Sequence, residues 1–263
     1  MDPTVDTPPR GLLDPRAGAG VYREALIPAA GDLAGIVAHH WAVRWDLRGS
    51  APYEVETLPG PAVVLVVESG KCRVHGVLRG RFSHALTEAG DIFGTTFRPA
   101  GFRPLLHRPV SGLTDRVVPG TDVFGPAAER LAARIASTGD IDERRVIAET
   151  FVRDHLTAPT PALDLVNSLV DEIMNDRECL RVDDLVDRHG LGKRVLQKLF
   201  REHVGVGPKW VIQRYRLHEA AQRLDAREIE LATLAAELGY ADQAHFTRDF
   251  KAAVGRSPAD YGR

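Results

Sequence analysis

Two short stretches near the C-terminal end of the chain carry the residue types best suited to gripping another molecule. In the first, Lys193, Arg194, Gln197, Lys198 and Arg201 recur at helical spacing, while Val195, Leu196, Leu199 and Phe200 supply the apolar positions. In the second, Gln243, His245, Thr247 and Arg248 form the polar face, and Phe246, Phe250 and Val254 the apolar one. Arginine and lysine present donors that fit guanine edges and phosphate oxygens, glutamine pairs with adenine, and threonine or histidine serves either bases or phosphates. The chemistry expected is hydrogen bonding to double-stranded nucleic acid, with no bond made or broken.

These faces are positioned by a duplication. Leu185, Gly190 and Leu191 match Leu234, Gly239 and Tyr240 at an offset of 49, and Phe200, Val204, Gly205 and Pro208 match Phe250, Val254, Gly255 and Pro258 at an offset of 50. Each copy reads as a short helix, a turn holding Gly190 or Gly239, and a second helix. The glycine lets one residue turn left-handed, so that two short helices cross steeply, and the apolar residue after it plugs the core. Between the copies, 208–224 reads as one helix, spanning roughly 25 Å at about 1.5 Å per residue, a strut able to hold two reading helices about one DNA turn apart. A glycine between helices with exposed cations also occurs in ordinary bundles, and one copy alone would say little. Two in register say more.

Charge supports this placement. The chain of 263 residues carries a formal net charge of −2. Residues 181–263, however, hold 15 basic against 12 acidic side chains, and the preceding 180 hold 19 against 24. The positive excess is confined to the C-terminal part.

Upstream the texture differs. Residues 1–20 are rich in proline and glycine, have no apolar period, and are expected to form a mobile tail. From 21 to 124 the apolar runs are short and β-branched (62–67, 74–78, 91–97, 117–118), with turns expected at 58–61, 69–71 and 89–91. That pattern predicts a small antiparallel β-barrel or sandwich. Residues 125–175 read as linker helices over 127–137, 142–158 and 162–176, with Pro126 at a first helical position. In the last of them Leu163, Val166, Leu169, Val170 and Ile173 form a stripe; a core and a dimer seam share this pattern, and its shortness favours core. The expected fold class is α+β: a β-rich domain with linker helices, then an all-α domain (176–263) with two helix-turn-helix units.

The closing stretch, LATLAAELGYADQAHFTRDFKAAVGRSPADY (Leu231–Tyr261), resembles the signature of the AraC/XylS family of bacterial transcription regulators. Its matching order is Ala-x-x-Leu-Gly-Tyr, His-Phe-Thr-Arg-x-Phe-Lys, Gly-x-Ser-Pro and a final Tyr. The resemblance covers 176–263, and LGKRVLQKLFREHVGVGPKWVIQRYRLHEA is similar to the family's more variable unit, which does most of the base reading. It implies base or phosphate contacts at Arg194, Gln197 and Lys198, and at Gln243, His245 and Arg248. Ala244 departs from the family at a place where a polar contact is common, so the second unit is expected mainly to grip phosphate. The resemblance further implies promoter DNA and RNA polymerase as partners, a small-molecule effector or a homodimer interface in the other half, and a cytoplasmic location. Residues 21–120 look like the N-terminal domain of a poorly characterised subgroup, through 37–41 with Trp45, the 62–67 strand and 94–103 (GTTFRPAGFR).

Other chemistries were weighed against the same residues. His39 and His40 are adjacent and point to opposite faces of a strand, and neither they nor His75 and His84 fall in a metal-ligand motif. Cys72 and Cys179 read as ordinary thiols. No phosphate-binding glycine loop or nucleophile elbow is present, so no cofactor is expected and a small β-barrel enzyme with a helical appendage is the lesser alternative. Arg98, Arg103 and His107, near Phe97 and Phe102, could grip an acidic ligand at a barrel mouth, although solvated loop cations give the same pattern. No run of about 18 apolar residues is present.

Overall fold

The computed structural model describes residues 12–13, 20–158, 160–226 and 230–261. The N-terminal half builds two antiparallel sheets. The larger has strand order β2-β3-β8-β5-β6-β9 and the smaller β1-β4-β7, formed from β1 (Leu12–Leu13), β2 (Tyr22–Pro28), β3 (Val37–Asp46), β4 (Tyr53–Thr57), β5 (Val64–Glu68), β6 (Lys71–His75), β7 (Phe82–Leu86), β8 (Ala89–Phe97) and β9 (Val117–Pro119). Among the described residues no strand pairing joins the two, so the expected barrel or sandwich is an open sandwich.

Alternation along the strands divides the larger sheet. Trp45, Val66 and Ile92 meet Leu86, Tyr53 and Val55 of the smaller sheet in one apolar layer. On the opposite face, Leu65, Val67, Phe93 and Phe97 join the main core with α3 (Pro126–Ala136) and α4 (Ile141–His155). Between β5 and β6, Ser69 (φ 49°) and Gly70 (φ 71°) are both left-handed, as a two-residue hairpin turn requires.

Several expectations need correction. Residues 89–91 are the start of β8, and the turn lies one step earlier, at Glu88 (φ 53°). Gly90 and Gly94 instead make room for tryptophan: a Cβ on Gly90 would lie 2.5 Å from Trp45 Cζ2, and one on Gly94 would fall inside the Trp41 ring. Most of the expected tail, 1–20, lies outside the described residues; within it Leu12–Leu13 pairs with Thr57 and Glu56 of β4, and Leu13 is buried. Short apolar pairs like this have no readable period. The stripe on α5 (Pro161–Asn175) is core, with Leu163, Val166, Leu169, Val170 and Ile173 all buried. Two four-residue helices, α1 (Arg103–Leu106) and α2 (Thr121–Phe124), were not expected.

The core does not stop at the linker. It runs from the sheet through α5 to Leu196, Phe200 and Val211, and α5 is tied to the sandwich by Asn167, which accepts from the Ala100 amide (3.0 Å) and donates to the Gly35 carbonyl (2.9 Å). Among the described residues no helix is long and apolar enough to cross a membrane.

Two measurements check this packing. Gly94→Ala should destabilise the protein by about 1–3 kcal/mol in denaturant unfolding, because the Trp41 ring must leave its place. His40 is wholly buried against α4, its Nδ1 2.9 Å from Thr95 Oγ1 and its Nε2 3.6 Å from Glu149 Oε1. Burial holds its pKa down to about 4 against the pull of Glu149, with Arg145 and His39 adding to the lowering, and burial likewise holds His75 near 4, helped by Arg73 and His84. The unfolded chain takes up these protons near pH 6.5 and the folded one near 4, so melting temperature should fall as pH drops through that window, and His40→Gln should flatten the slope.

Candidate nucleic-acid interface

The C-terminal units form as the duplication requires. The first is α6 (Val182–His189) and α7 (Lys193–His203), the second α9 (Leu231–Glu237) and α10 (Gln243–Val254), with the strut α8 (Pro208–Asp225) between them and α11 (Pro258–Tyr261) after. Gly190 (φ 63°) and Gly239 (φ 71°) are both left-handed. Asp184 caps α6 by accepting from the amides of Leu180 (2.9 Å) and Arg181 (2.6 Å), and Asp242 caps α10 by accepting from the His245 amide (2.7 Å). The fully buried Leu185, Leu196 and Phe200 are answered by Leu234, Phe246 and Phe250.

Of the residues singled out in sequence, Lys193, Arg194, Gln197, Lys198, Arg201, Gln243, His245 and Arg248 are exposed, and Thr247 is half-buried. Lys193 is held by Asp183 (2.5 Å), and His245 Nε2 lies 3.7 Å from Asp249. Among the described residues Arg194, Lys198, Arg201 and Arg248 enter no ion pair, so their charges face solvent uncompensated. Val195, expected in the helix core, is 49% exposed instead; it sits on the flank of α7, where Leu199 is only half-buried too.

The strut carries two buried polar groups aimed at the β-rich half. Arg214, over the Trp210 ring (4.6 Å), donates to the Arg79 carbonyl (2.5 Å), and burial pushes its pKa down to about 10. His218 Nε2 donates to the Leu58 carbonyl (2.8 Å). The second helices of the two units, α7 and α10, run into equivalent glycines, Gly205 (φ 98°) and Gly255 (φ 86°). Each end meets a side chain of the β-rich half: Thr114 Oγ1 donates to the Gly205 carbonyl (2.7 Å), and Arg81, paired with Glu56 (2.9 Å), reaches the Val254 carbonyl (3.4 Å).

The helix-turn-helix domain family matches 185–263, and a domain of unknown function (DUF6597) matches 25–119. The transcriptional activator AarP of Providencia stuartii is 32% identical over 100 residues, 36% of this chain and 74% of that protein. The chain belongs to the AraC family of transcription regulators. An AraC-like regulator of Streptomyces lividans is 26% identical over 280 residues, covering 86% of this chain and 91% of that protein. The activator RhaS of Pectobacterium carotovorum is 34% identical over 74 residues, and the match spans 28% of this chain and about a quarter, 26%, of RhaS.

Arg98 and Arg103, which with His107 read in sequence as solvated loop cations or else as a grip on an acidic ligand, are paired within the protein. Arg98 pairs with Asp171 of α5 (2.5 Å), Arg103 with Glu202 of α7 (3.3 Å), and His107 is an exposed left-handed residue after α1. These arginines join the halves of the molecule. Sequence reasoning missed Arg79, Arg81 and Thr114 because each is a lone polar residue in a loop, with its partner far away in sequence. Among the described residues no three His, Cys, Asp or Glu side chains gather as a metal site.

The paired glycines give a test. Gly205→Ala and Gly255→Ala should each cost about 1–2 kcal/mol in chemical denaturation, since alanine is strained at these angles, and Thr114→Val about 1 kcal/mol.

Proposed function

We propose that this chain is a cytoplasmic, sequence-specific regulator of transcription that contacts promoter DNA with α7 and α10 in successive major grooves, and acts by binding rather than catalysis. The observation that carries this reading is the stripe of Arg194, Gln197, Lys198 and Arg201, exposed and without ion-pair partners among the described residues. On an inward-facing surface such charges would be neutralised; here they await phosphates and base edges. Arg194, Gln197 and Lys198 read bases in the first unit, with Lys193 and Arg201 on the backbone. Gln243, His245, Thr247 and Arg248 hold the second unit, chiefly on phosphate. The 18-residue strut, roughly 27 Å long at about 1.5 Å per residue, suits one turn of DNA.

The proposal extends to control. The β-rich domain (21–124) receives a small molecule, and the grips on Gly205 and Val254 carry its effect to both reading helices. RNA polymerase and a second copy of the chain are the remaining proposed partners, in keeping with the family.

The test is selection of bound sequences from random duplexes at fixed salt, which should return two short blocks centred about 10–10.5 bp apart. On the selected site Arg194→Ala and Gln197→Ala should weaken specific binding by about 1–3 kcal/mol, whereas Arg201→Ala should weaken binding to selected and random DNA alike. Equal losses on both DNAs for all three variants would refute the division of roles, and no enrichment would refute specific binding.

A further inference from the structure

Among the described residues three large apolar side chains are exposed, Val117, Val146 and Val195, and of these Val195 alone stands among the residues proposed for DNA contact. It is 49% exposed and lies in the first turn of α7, next to Arg194, with Lys198 one turn further along the same side. The core position of this turn is filled by Leu196, which is fully buried. Packing therefore does not account for the valine. Nor does helix formation, since a β-branched residue facing solvent is a poorer helix former than alanine.

The duplication gives the position a meaning. α7 begins at Lys193 and α10 at Gln243, so the offset of 50 that pairs Phe200 with Phe250 holds from the first residue of each helix. At that offset Val195 corresponds to His245, Arg194 to Ala244 and Lys198 to Arg248. Arg194, Val195, Ala244 and His245 are all exposed. Both units thus turn the same two positions of the first turn to solvent, and each unit has an apolar residue at one of them. In a helix-turn-helix the N-terminal residues of the second helix are the ones that reach base edges.

What an apolar group can read in the major groove is set by the bases. Guanine, adenine and cytosine are told apart there by hydrogen-bonding groups, whereas thymine also carries a methyl group at C5. The donors of Arg194 and Lys198 suit guanine and the amide of Gln197 suits adenine, whose partner thymine presents its methyl in the same groove. None of these three polar ends is complementary to a methyl group. The valine beside them is.

We propose that Val195 is a specificity-determining residue that reads thymine, setting its methyl groups against the C5-methyl in the major groove beside the bases met by Arg194, Gln197 and Lys198. A protein partner seated on Val195 would cover Arg194 and Lys198 as well and keep them from DNA. The inference rests on the reading of α7 as a base-reading helix.

The experiment takes the full chain and the duplex returned by selection, and replaces each thymine of that duplex in turn by uracil, which removes the C5-methyl and leaves every hydrogen-bonding group in place. One replacement, in the block whose base preference relaxes in Arg194→Ala, should weaken wild-type binding about fourfold, the ratio expected for losing one buried methyl group. Val195→Ala, with unchanged near-ultraviolet circular dichroism, should weaken binding to the thymine duplex by about the same factor. It should bind that uracil duplex about as the wild type does, so that the two losses do not add. A site in which no thymine is sensitive to uracil, losses that multiply, or Val195→Ala binding the thymine duplex as tightly as the wild type would each overturn the proposal. All three outcomes leave an enriched site standing, and the regulator reading with it. A selection that enriches no site would overturn both.

Discussion

The relative placement of two reading helices is the constraint on which the rest of the molecule depends. A helix that enters a major groove must be set to within a few ångströms and tens of degrees, and two such helices must be set together. The strut α8 fixes their separation. It cannot by itself fix their rotation about its own axis, because each unit joins it through a short connection outside the helix, Gly205–Gly207 on the side of the first unit. The β-rich half supplies the missing constraint, with Thr114 on the Gly205 carbonyl and Arg81 on the Val254 carbonyl. The two grips fall one residue apart in the duplicated unit, on Gly205 and on Val254, the counterpart of Val204, where the helix leaves its last carbonyls without partners and a side chain can satisfy them.

The two grips differ in what stands behind them. The first unit shares one continuous core with the sandwich, through α5 and Leu196, Phe200, Val204 and Val206. The second unit has a separate core, to which, among the described residues, the β-rich half contributes Leu13 and Leu58. Lifting the first unit away would expose the larger part of a shared core, at a cost comparable to unfolding it. Moving the second would uncover two leucines, the His218 hydrogen bond and the Arg81 contact. The molecule is stiff on one side and adjustable on the other.

Much of this was legible in the sequence, for reasons that can be traced. The duplicated pattern gave the helices of both units to within about one residue, because glycine, proline and large apolar side chains at fixed offsets leave few other readings. The strands were visible as short β-branched runs, although Gly90 was misread as a turn: a glycine that opens a turn and one that yields to a ring look alike until the partner strand is known. Val195 was misplaced because hydropathy alone assigns a valine inward. Arg98 and Arg103 beside Phe97 and Phe102 suggested a ligand grip, yet their carboxylates lie 73 and 99 residues away. Long-range ion pairs leave no local periodicity, and the sheet-to-helix docking was therefore invisible before the fold.

The difference between the units also bears on where sequence is read. Among the described residues the cations of α7 without an ion pair, Arg194, Lys198 and Arg201, lie on the unit fused to the sandwich; on α10 Arg248 is likewise unpaired, Ala244 interrupts the polar face and His245 lies 3.7 Å from Asp249. Base readout demands the more exact geometry, because a bidentate hydrogen bond to a base edge tolerates less displacement than attraction to a phosphate. On the proposed assignment the discriminating side chains sit on the rigid unit and the backbone-gripping ones on the adjustable unit, so a small movement would change affinity for a site while preserving which site is chosen. A regulator built this way would vary occupancy while holding specificity fixed, and the unequal cores are what would allow it.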